Sequence, residues 1–252
     1  PLVLQTPGLR SFKFRNKRLR KKQIMATVLI TGTNKGVGLE LTKIYAGRGD
    51  RVYAACRDPE SATELKAVEG DVHPIEVVVG DTASVTQMAE KLAGVAIDMV
   101  INNAGMAGPA FDQQTTYAMD YDGWAETFNV NSIGPVRVLQ ALIPNLRLAE
   151  AGKVMTVTSQ MGALSFEMIA AHAYCASKAA VNKFMRMASV DLKKEGIAVG
   201  LVHPGWVQTD MGGPRADLTP RESADGVAAV SDGLSIDNTG GFWKWNGESH
   251  DW

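Results

Sequence analysis

The sequence predicts a single α/β domain in which a parallel sheet of about seven strands carries helices on both faces. Three observations lead to this prediction. Short apolar runs alternate with longer segments of helical periodicity, several of the runs are apolar at every position, and no linker or repeat divides the chain after residue 26. Strands buried on both faces and alternating with helices are typical of a doubly wound parallel sheet.

Seven runs rich in β-branched residues predict the strands. They cover residues 27–31, 51–56, 74–79, 97–101, 153–158, 197–202 and 241–244. Between them, helices are predicted near 37–48, 59–68, 84–94, 121–149, 172–195 and 220–233. In these segments apolar residues recur at the three- and four-residue spacing that places them on one helix face. Together the elements predict one domain over 26–252.

Composition narrows the class of protein. The 252 residues are 45% hydrophobic, which is enough for a sizeable core. The two cysteines, Cys56 and Cys175, are too few for a disulfide framework and indicate a reducing compartment, so we expect a cytoplasmic protein. Since no apolar run approaches the roughly 20 residues of a membrane-spanning helix, we expect no membrane association.

Charge is distributed unevenly along the chain. Residues 1–24 carry eight basic side chains and no acidic one, and the other 18 basic and 27 acidic residues give the rest a net charge of about −9. An acidic domain argues against nucleic-acid binding. Because Met25 precedes the first strand like a natural start, we interpret 1–24 as a vector-derived or upstream basic leader. A cleaved targeting segment and a basic arm are the alternatives.

A glycine-rich loop, TGTNKGVG at 31–38, connects the first strand to a helix. Glycines let a phosphate approach the backbone, and the helix N-terminus offers unpaired N–H groups to it. The alternative is a simple tight turn, but placement after a buried strand favours a Rossmann-type dinucleotide site. The residues predicted to bind the cofactor here are Gly32, Asn34, Lys35, Gly36, Val37 and Gly38.

The end of the second strand predicts which dinucleotide is bound. Arg57 follows Cys56 where the adenosine ribose is expected, and a basic residue there suits the 2′-phosphate of NADP, whereas an acidic one suits the 2′-hydroxyl of NAD. Lys35 adds a second cation. Alternatively, Arg57 pairs with Asp58 or Glu60, and Asp58 takes the ribose position. We expect NADP(H) to be preferred over NAD(H).

Further motifs follow in a fixed order along the chain. They are Gly80-Asp81, Asn102-Asn103-Ala104-Gly105, Asn131, Ser159, Tyr174-x-x-x-Lys178, and Pro204-Gly205 followed by Thr209. With the glycine loop, their order and spacing resemble the short-chain dehydrogenases/reductases over essentially all of 26–252. Within that family, Cys56-Arg57-Asp58 and the aromatic segment 240–245 are similar to the C-factor and sniffer-type carbonyl reductases.

The resemblance implies a role for each matching residue. Tyr174 would donate a proton to a carbonyl oxygen, and Ser159 would polarise that oxygen. Lys178 would hold the nicotinamide ribose and lower the tyrosine pKa, and Asn131 would keep a water in a proton relay. The implied cofactor contacts are Asp81 to the adenine, Asn103, Ala104 and Gly105 beside the cofactor, and Pro204, Gly205, Val207 and Thr209 near the nicotinamide. It also implies a homodimer or homotetramer built on the helices carrying Asn131 and Tyr174.

Elementary chemistry agrees with these roles. A free tyrosine has a pKa near 10 and is a sluggish acid at neutral pH. Residues four apart share a helix face, so Lys178 should lie near Tyr174, and its charge favours phenolate. Two hydroxyls aimed at one oxygen stabilise the charge that hydride transfer builds there. Taken alone, Ser159 is more typical of a helix cap or turn, and Asn131 of a surface or capping polar group, so only the joint order indicates a site.

The substrate end is predicted only in outline. Loops beyond the carboxyl ends of the strands should line the pocket, and the candidates are Met106, Met161, Phe166, Trp206 and Met211. An apolar, methionine-rich pocket suits a hydrophobic aldehyde or ketone. The alternative for each residue is core packing or a subunit contact. Residues 212–219 form a candidate mobile lid, and the four scattered histidines lack metal-ligand spacing, so no metal is expected.

These observations predict an NADPH-dependent oxidoreductase that reduces a small-molecule carbonyl compound. Two alternatives stay open. One is a dinucleotide-binding signalling or sensor protein, and the other is an NAD-linked alcohol dehydrogenase. The aromatic tail at 240–252 has a single basic residue, Lys244, near its rings, so it predicts packing of a last strand, within the chain or across a dimer, and not nucleic-acid stacking.

Overall fold

The computed structural model describes residues 25–167 and 170–252, and within them one parallel sheet of seven strands has the order β3-β2-β1-β4-β5-β6-β7. The strands are β1 (Thr27–Thr31), β2 (Arg51–Cys56), β3 (Val72–Glu76), β4 (Met99–Asn102), β5 (Lys153–Val157), β6 (Ala198–His203) and β7 (Phe242–Lys244). The helices are α1 (Gly36–Gly47), α2 (Thr63–Lys66), α3 (Thr82–Lys91), α4 (Tyr121–Phe128), α5 (Gly134–Leu146), α6 (His172–Lys193) and α7 (Pro220–Asp232). The predicted doubly wound Rossmann-type fold is confirmed.

The core lies on both faces of the sheet. Successive side chains of a strand point to opposite faces, so Leu29 of β1 joins one apolar cluster while Val28 and Ile30 join the other. Helices α3, α5 and α6 cover the first face, and α1 and α7 cover the second. All six residues of β6 and all four of β4 are buried, which explains why these strands are apolar throughout.

Two predicted elements were wrong in extent near the sheet edge. The third strand runs over Val72–Glu76 and not 74–79, with Pro74 opposite Ala54. An edge strand tolerates a proline because its missing N–H is not needed by a further strand. The helix predicted at 59–68 shrinks to one turn, α2, because Asp58 Oδ1 accepts hydrogen bonds from the N–H groups of Glu60 and Ser61 and closes a turn first.

The single helix predicted at 121–149 is in fact two helices joined by a π-helical turn, Asn129–Ile133. A π turn carries an extra residue and is frequent at functional sites. Here it buries Asn131 and Ser132, whose side chains bond to Ser177 on α6. The turn therefore docks the α4–α5 segment onto α6.

The aromatic tail packs against its own chain. After β7, Ser249 pairs with Trp243 in antiparallel fashion and the His250 N–H donates to the Phe242 carbonyl (2.8 Å). The ring of Trp252 lies 5.5 Å from that of Phe242. Of the helices in the described ranges, none has the length and apolar character needed to cross a membrane. The interpretation of residues 1–24 falls outside the described residues.

Candidate active site

The site begins where the strand order reverses, between β1 and β4, because the carboxyl ends of these strands open a crevice. The glycine loop leaves β1 there and Asn103-Ala104-Gly105 leaves β4. Backbone N–H groups of Asn103 and Ala104 donate to Thr31 Oγ1 (3.1 and 3.0 Å), and Asn103 Nδ2 donates to the Thr31 carbonyl (2.9 Å). Thr31 thus locks two predicted cofactor loops together, a role that sequence reasoning missed.

The geometry of the glycine loop fits a dinucleotide. Gly32 and Gly36 have φ angles of 74° and 59°, a backbone conformation that favours glycine. A Cβ on Gly32 would lie 2.9 Å from Ala104 Cα, and one on Gly38 would collide with the Gly32 carbonyl. In the described chain, α1 begins with neither a side-chain cap nor an acidic first turn, so its first N–H groups suit a pyrophosphate.

At the adenosine end, Arg57 is exposed and forms no ion pair with any described residue. Its two rival partners are engaged elsewhere. Asp58 accepts hydrogen bonds from its own turn, and Glu60 pairs with Lys66 at 2.6 Å. Arg57 is therefore available to an anion, and Asp58 is a turn residue.

Two other predicted cofactor contacts already have protein partners. Lys35, expected beside the 2′-phosphate, forms an exposed ion pair with Asp210 at 2.5 Å and lowers the pKa of that carboxyl. Asp81, expected at the adenine, caps α3 by accepting a hydrogen bond from the Ala83 N–H (2.8 Å). Both side chains are exposed, so neither contact prevents a ligand from approaching.

Four polar residues with predicted roles in proton transfer come together beside this crevice, and we call them the proton-transfer corner: Asn131, Ser159, Tyr174 and Lys178. Ser159 follows β5 and its Oγ accepts a hydrogen bond from the Met161 N–H (3.1 Å). Tyr174 and Lys178 occupy the first two turns of α6, with Lys178 Nζ 5.7 Å from the Tyr174 ring centroid. The predicted grouping of serine, tyrosine and lysine is present in the geometry.

The pKa of Tyr174 differs from the expectation. Burial raises the pKa of the phenol to about 12, although a hydrogen bond from Ser159 acts in the lowering direction. Burial also lowers the pKa of Lys178 to about 8, and its ammonium donates to the Val157 carbonyl (3.1 Å). The expected net lowering by Lys178 was wrong because the cost of desolvating the phenolate dominates. Tyr174 is thus held in its acid form.

Asn131 is fully buried and its side chain is almost fully used. Its Oδ1 accepts from the Met106 N–H (2.8 Å), and its Nδ2 donates to the Met106 carbonyl (2.8 Å) and to Ser177 Oγ (3.1 Å). An amide has two donors and two acceptor lone pairs, so one lone pair of Oδ1 is left. The side chain holds the loop after β4, and a relay water would have to share that oxygen or bind another atom.

Asn182 also supports the site, and the sequence analysis did not predict this role. Thr158 Oγ1 donates to Asn182 Oδ1 (2.5 Å), and Asn182 Nδ2 donates to the Gly162 carbonyl (3.2 Å). Asn182 therefore ties the segment bearing Ser159 to α6. The spacing could have indicated this role, because Asn182 follows Lys178 by the same four residues that separate Lys178 from Tyr174, which places all three on one face of α6.

The segment after β6, which carries the residues predicted to lie near the nicotinamide, approaches the glycine loop. The Pro204 carbonyl accepts from Ser223 Oγ (2.6 Å), Gly205 has a φ of 86°, and Val207 is buried. The methyl group of Thr209 lies 3.2 Å from the position of a Cβ on Gly36. Thr209 is therefore next to the crevice. At the start of the candidate lid, the Gly212 carbonyl accepts from Trp206 Nε1 (2.8 Å), and the mobility of residues 212–219 stays a prediction.

The structure does not gather the predicted substrate residues into one cavity of the described chain. We call this set the substrate rim: Met106, Met161, Phe166, Trp206 and Met211. Met161 and Phe166 line a groove of about 440 Å³ that also includes Cys175 but none of the proton-transfer corner. Met106 lies against Asn131, and Trp206 and Met211 are half-exposed on the segment after β6. These residues leave three different strand ends, which sequence spacing cannot place relative to one another.

His203 lies at the end of β6. It is buried, and burial lowers its pKa to about 4, while its Nδ1 finds no hydrogen-bond partner among the described residues. Its ring lies 6.0 Å from that of His250. Over the described ranges, no three His, Cys, Asp or Glu side chains are grouped so as to hold a metal ion.

Known proteins share this arrangement. The family model described as short chain dehydrogenase matches residues 26–218. The C-signal protein of Myxococcus xanthus is 43% identical over 157 residues, which are 62% of this chain and 93% of that protein. The NADPH-bound carbonyl reductase from chicken fatty liver superposes with a TM-score of 0.83 at 30% identity, covering 90% of this chain and 99% of its own. The carbonyl reductase Sniffer of D. melanogaster gives 0.83 at 25% identity, covering 90% and 100%. The chain therefore belongs to the short-chain dehydrogenase/reductase family of oxidoreductases.

Proposed function

We propose that the protein is an NADPH-dependent carbonyl reductase that converts an aldehyde or ketone to an alcohol. The observation that carries this proposal is the Tyr174 side chain, with Lys178 Nζ 5.7 Å from its ring centroid, beside a crevice that fits a dinucleotide. The likeness to NADPH-bound carbonyl reductase supports it.

The chain's own groups account for the proton chemistry. A bound NADPH would supply the hydride to the carbonyl carbon, and the C=O π electrons move to oxygen. Tyr174 Oη gives that oxygen its proton, and the Ser159 hydroxyl donates a hydrogen bond to the developing negative charge. The Lys178 ammonium, 5.7 Å from the ring centroid, stabilises the phenolate that remains.

The raised pKa of Tyr174 suits its proposed role as the proton donor in reduction. A proton donor must be protonated before the reaction, and a phenol with a pKa of about 12 is protonated at neutral pH. An alcohol dehydrogenase working oxidatively needs the phenolate as a base. The NAD-linked alternative therefore requires further groups to lower this pKa.

Cofactor preference would depend on Arg57. Because it is exposed and unpaired among the described residues, its guanidinium can bind the 2′-phosphate of NADPH through two charge-assisted hydrogen bonds. Lys35 can contribute only by giving up or sharing Asp210. We infer a preference for NADP(H) over NAD(H) that rests mainly on Arg57.

We also propose a homodimer or homotetramer built on α6 and the segment carrying Asn131. Three large apolar side chains of α6 are exposed at helical spacing, Phe184, Met187 and Val190. A monomer leaves that stripe in water. Sedimentation of the full chain should show a dimer or tetramer that Met187→Asp shifts toward the monomer, and a wild-type monomer at assay concentration would contradict this assembly.

The deciding experiment follows the absorbance of reduced nicotinamide with NADPH and a panel of hydrophobic aldehydes, ketones and quinones. We expect turnover of several apolar carbonyl compounds by the wild type and about 1000-fold slower turnover by Tyr174→Phe. If NADPH binds but no compound of the panel is reduced, the signalling alternative gains. That alternative is kept because of the 43% identity to the C-signal protein.

A further inference from the structure

The helix that carries Tyr174 and Lys178 lacks a cap of its own. The first N–H groups of any α-helix have no partner within the helix. Before α6, Ala171 adopts a left-handed conformation with φ of 59°, and its side chain provides no capping oxygen. The first turn of α6, which contains Tyr174, therefore needs acceptors from elsewhere in the chain.

One buried glutamine supplies two of these acceptors. The Gln114 carbonyl accepts from the His172 N–H (3.1 Å), and Gln114 Oε1 accepts from the Tyr174 N–H (3.3 Å). Gln114 lies 60 residues upstream, in the loop after β4, and is only 1% exposed. Its side chain thus contacts the backbone of the proposed proton donor directly.

The other end of the same amide holds the loop after β4. Gln114 Nε2 donates to the carbonyls of Pro109 (2.6 Å) and Ala107 (3.3 Å). These bonds determine the orientation of the amide, because the two carbonyls need a donor and the Tyr174 N–H needs an acceptor. Residues 106–109 are therefore anchored twice, by Asn131 through Met106 and by Gln114.

We propose that Gln114 is a positioning residue for proton transfer, which holds the first turn of α6, and with it the Tyr174 phenol, at a set distance from the loop that borders the substrate. The inference rests on the proposed function of Tyr174. A donor displaced by about 1 Å can lose about 100-fold in rate. Loss of this amide should therefore reduce the rate of the chemical step more than it reduces cofactor binding.

The test is the single-turnover rate of NADPH oxidation in Gln114→Met, which keeps the length of the side chain and removes its polar atoms. We expect a rate about 10- to 100-fold below wild type per NADPH-binding site, with NADPH affinity, measured by fluorescence, unchanged. Gln113→Ala is the matched control, because the adjacent Gln113 is exposed. A Gln114→Met rate equal to that of wild type would overturn the proposal.

Gln114→Glu gives a second test that does not require Gln114→Met to fold. A protonated glutamic acid can donate to the Pro109 carbonyl while its other oxygen accepts from the Tyr174 N–H, whereas the carboxylate can only accept. The rate of Gln114→Glu relative to wild type should therefore rise as the pH falls. A ratio that is independent of pH contradicts the proposal, since a residue that affects stability alone leaves the rate per binding site unchanged.

Tyr174→Phe distinguishes failure of the proposed function from failure of the proposed role of Gln114. If Tyr174→Phe retains full turnover, the proposed function itself fails. If Tyr174→Phe is inactive while Gln114→Met and Gln114→Glu keep the wild-type rate, only the role of Gln114 fails.

Discussion

The proton-transfer corner and the substrate rim lie in the same domain but are built differently. Ser159 and Lys178 of the corner are 7% and 5% exposed, and the side chain of each forms a hydrogen bond with the backbone. Trp206 and Met211 of the rim are each 48% exposed. The difference indicates that the predicted proton-transfer residues are held more rigidly than Trp206 and Met211, so substitutions should have unequal effects in the two regions.

Tyr174→Phe should have the largest effect. Removal of the general acid is expected to lower kcat about 1000-fold, because such groups contribute roughly 10²- to 10⁴-fold. NADPH affinity should not change, since the ring remains. Steady-state turnover and fluorescence titration measure both quantities. If kcat falls no further than it does for a rim substitution such as Met211→Ala, the contrast between the regions is wrong.

The pH profile of kcat/KM for NADPH should bend at the pKa of Lys178. With its pKa lowered to about 8, the ammonium loses its proton above that pH, while Tyr174 keeps its proton until about 12. For reduction, kcat/KM for NADPH should thus be level below about pH 8 and fall roughly tenfold for each pH unit above it.

A pH titration of the absorbance difference between wild type and Tyr174→Phe shows whether Lys178 or Tyr174 loses its proton at this break. It should detect no Tyr174 phenolate near pH 8, because the phenol has a pKa of about 12. Phenolate that forms at the break would show instead that the tyrosine pKa is lowered in solution.

Arg57→Ala should have an intermediate effect, and it should change the affinity for NADPH only. Hydrogen bonds to a charged group are worth about 1.5–3 kcal/mol, so NADPH affinity should fall about 10- to 100-fold while NADH affinity stays unchanged. Lys35→Ala should weaken NADPH binding less, about threefold at most, because Lys35 is already in an exposed ion pair.

Lys66→Ala is the matched control for Arg57→Ala, since it removes a nearby cation that pairs with Glu60. Equal losses of NADPH and NADH affinity in Arg57→Ala would mean that the 2′-phosphate is not bound there.

Met211→Ala should have the smallest effect. A half-exposed, flexible side chain contributes modestly and adaptably to binding, so KM for bulky carbonyl substrates should rise about threefold and kcat should not change. A panel of substrates of increasing size measures this. A large loss of kcat would place Met211 with the rigid part of the site and remove the distinction between the two regions.

The sequence predicted most of the fold because its signals are local. Buried parallel strands are apolar at every position, and the glycine loop, Ser159 and Tyr174-x-x-x-Lys178 follow in an order that chance rarely supplies. The prediction was wrong where local patterns compete. Pro74 and the valines after it suggested a later third strand, and the continuous periodicity of 121–149 concealed the π turn that buries Asn131.

What the sequence determined by itself is the doubly wound architecture and the family to which the chain belongs, since periodicity and motif spacing are properties of the chain. Only the tertiary structure decided the pKa direction of Tyr174, the pairing of Lys35 with Asp210, and the anchoring of α6 by Gln114. Each depends on how far a side chain is removed from water and which distant group meets it. Desolvation and long-range hydrogen bonds arise only when separate segments pack together.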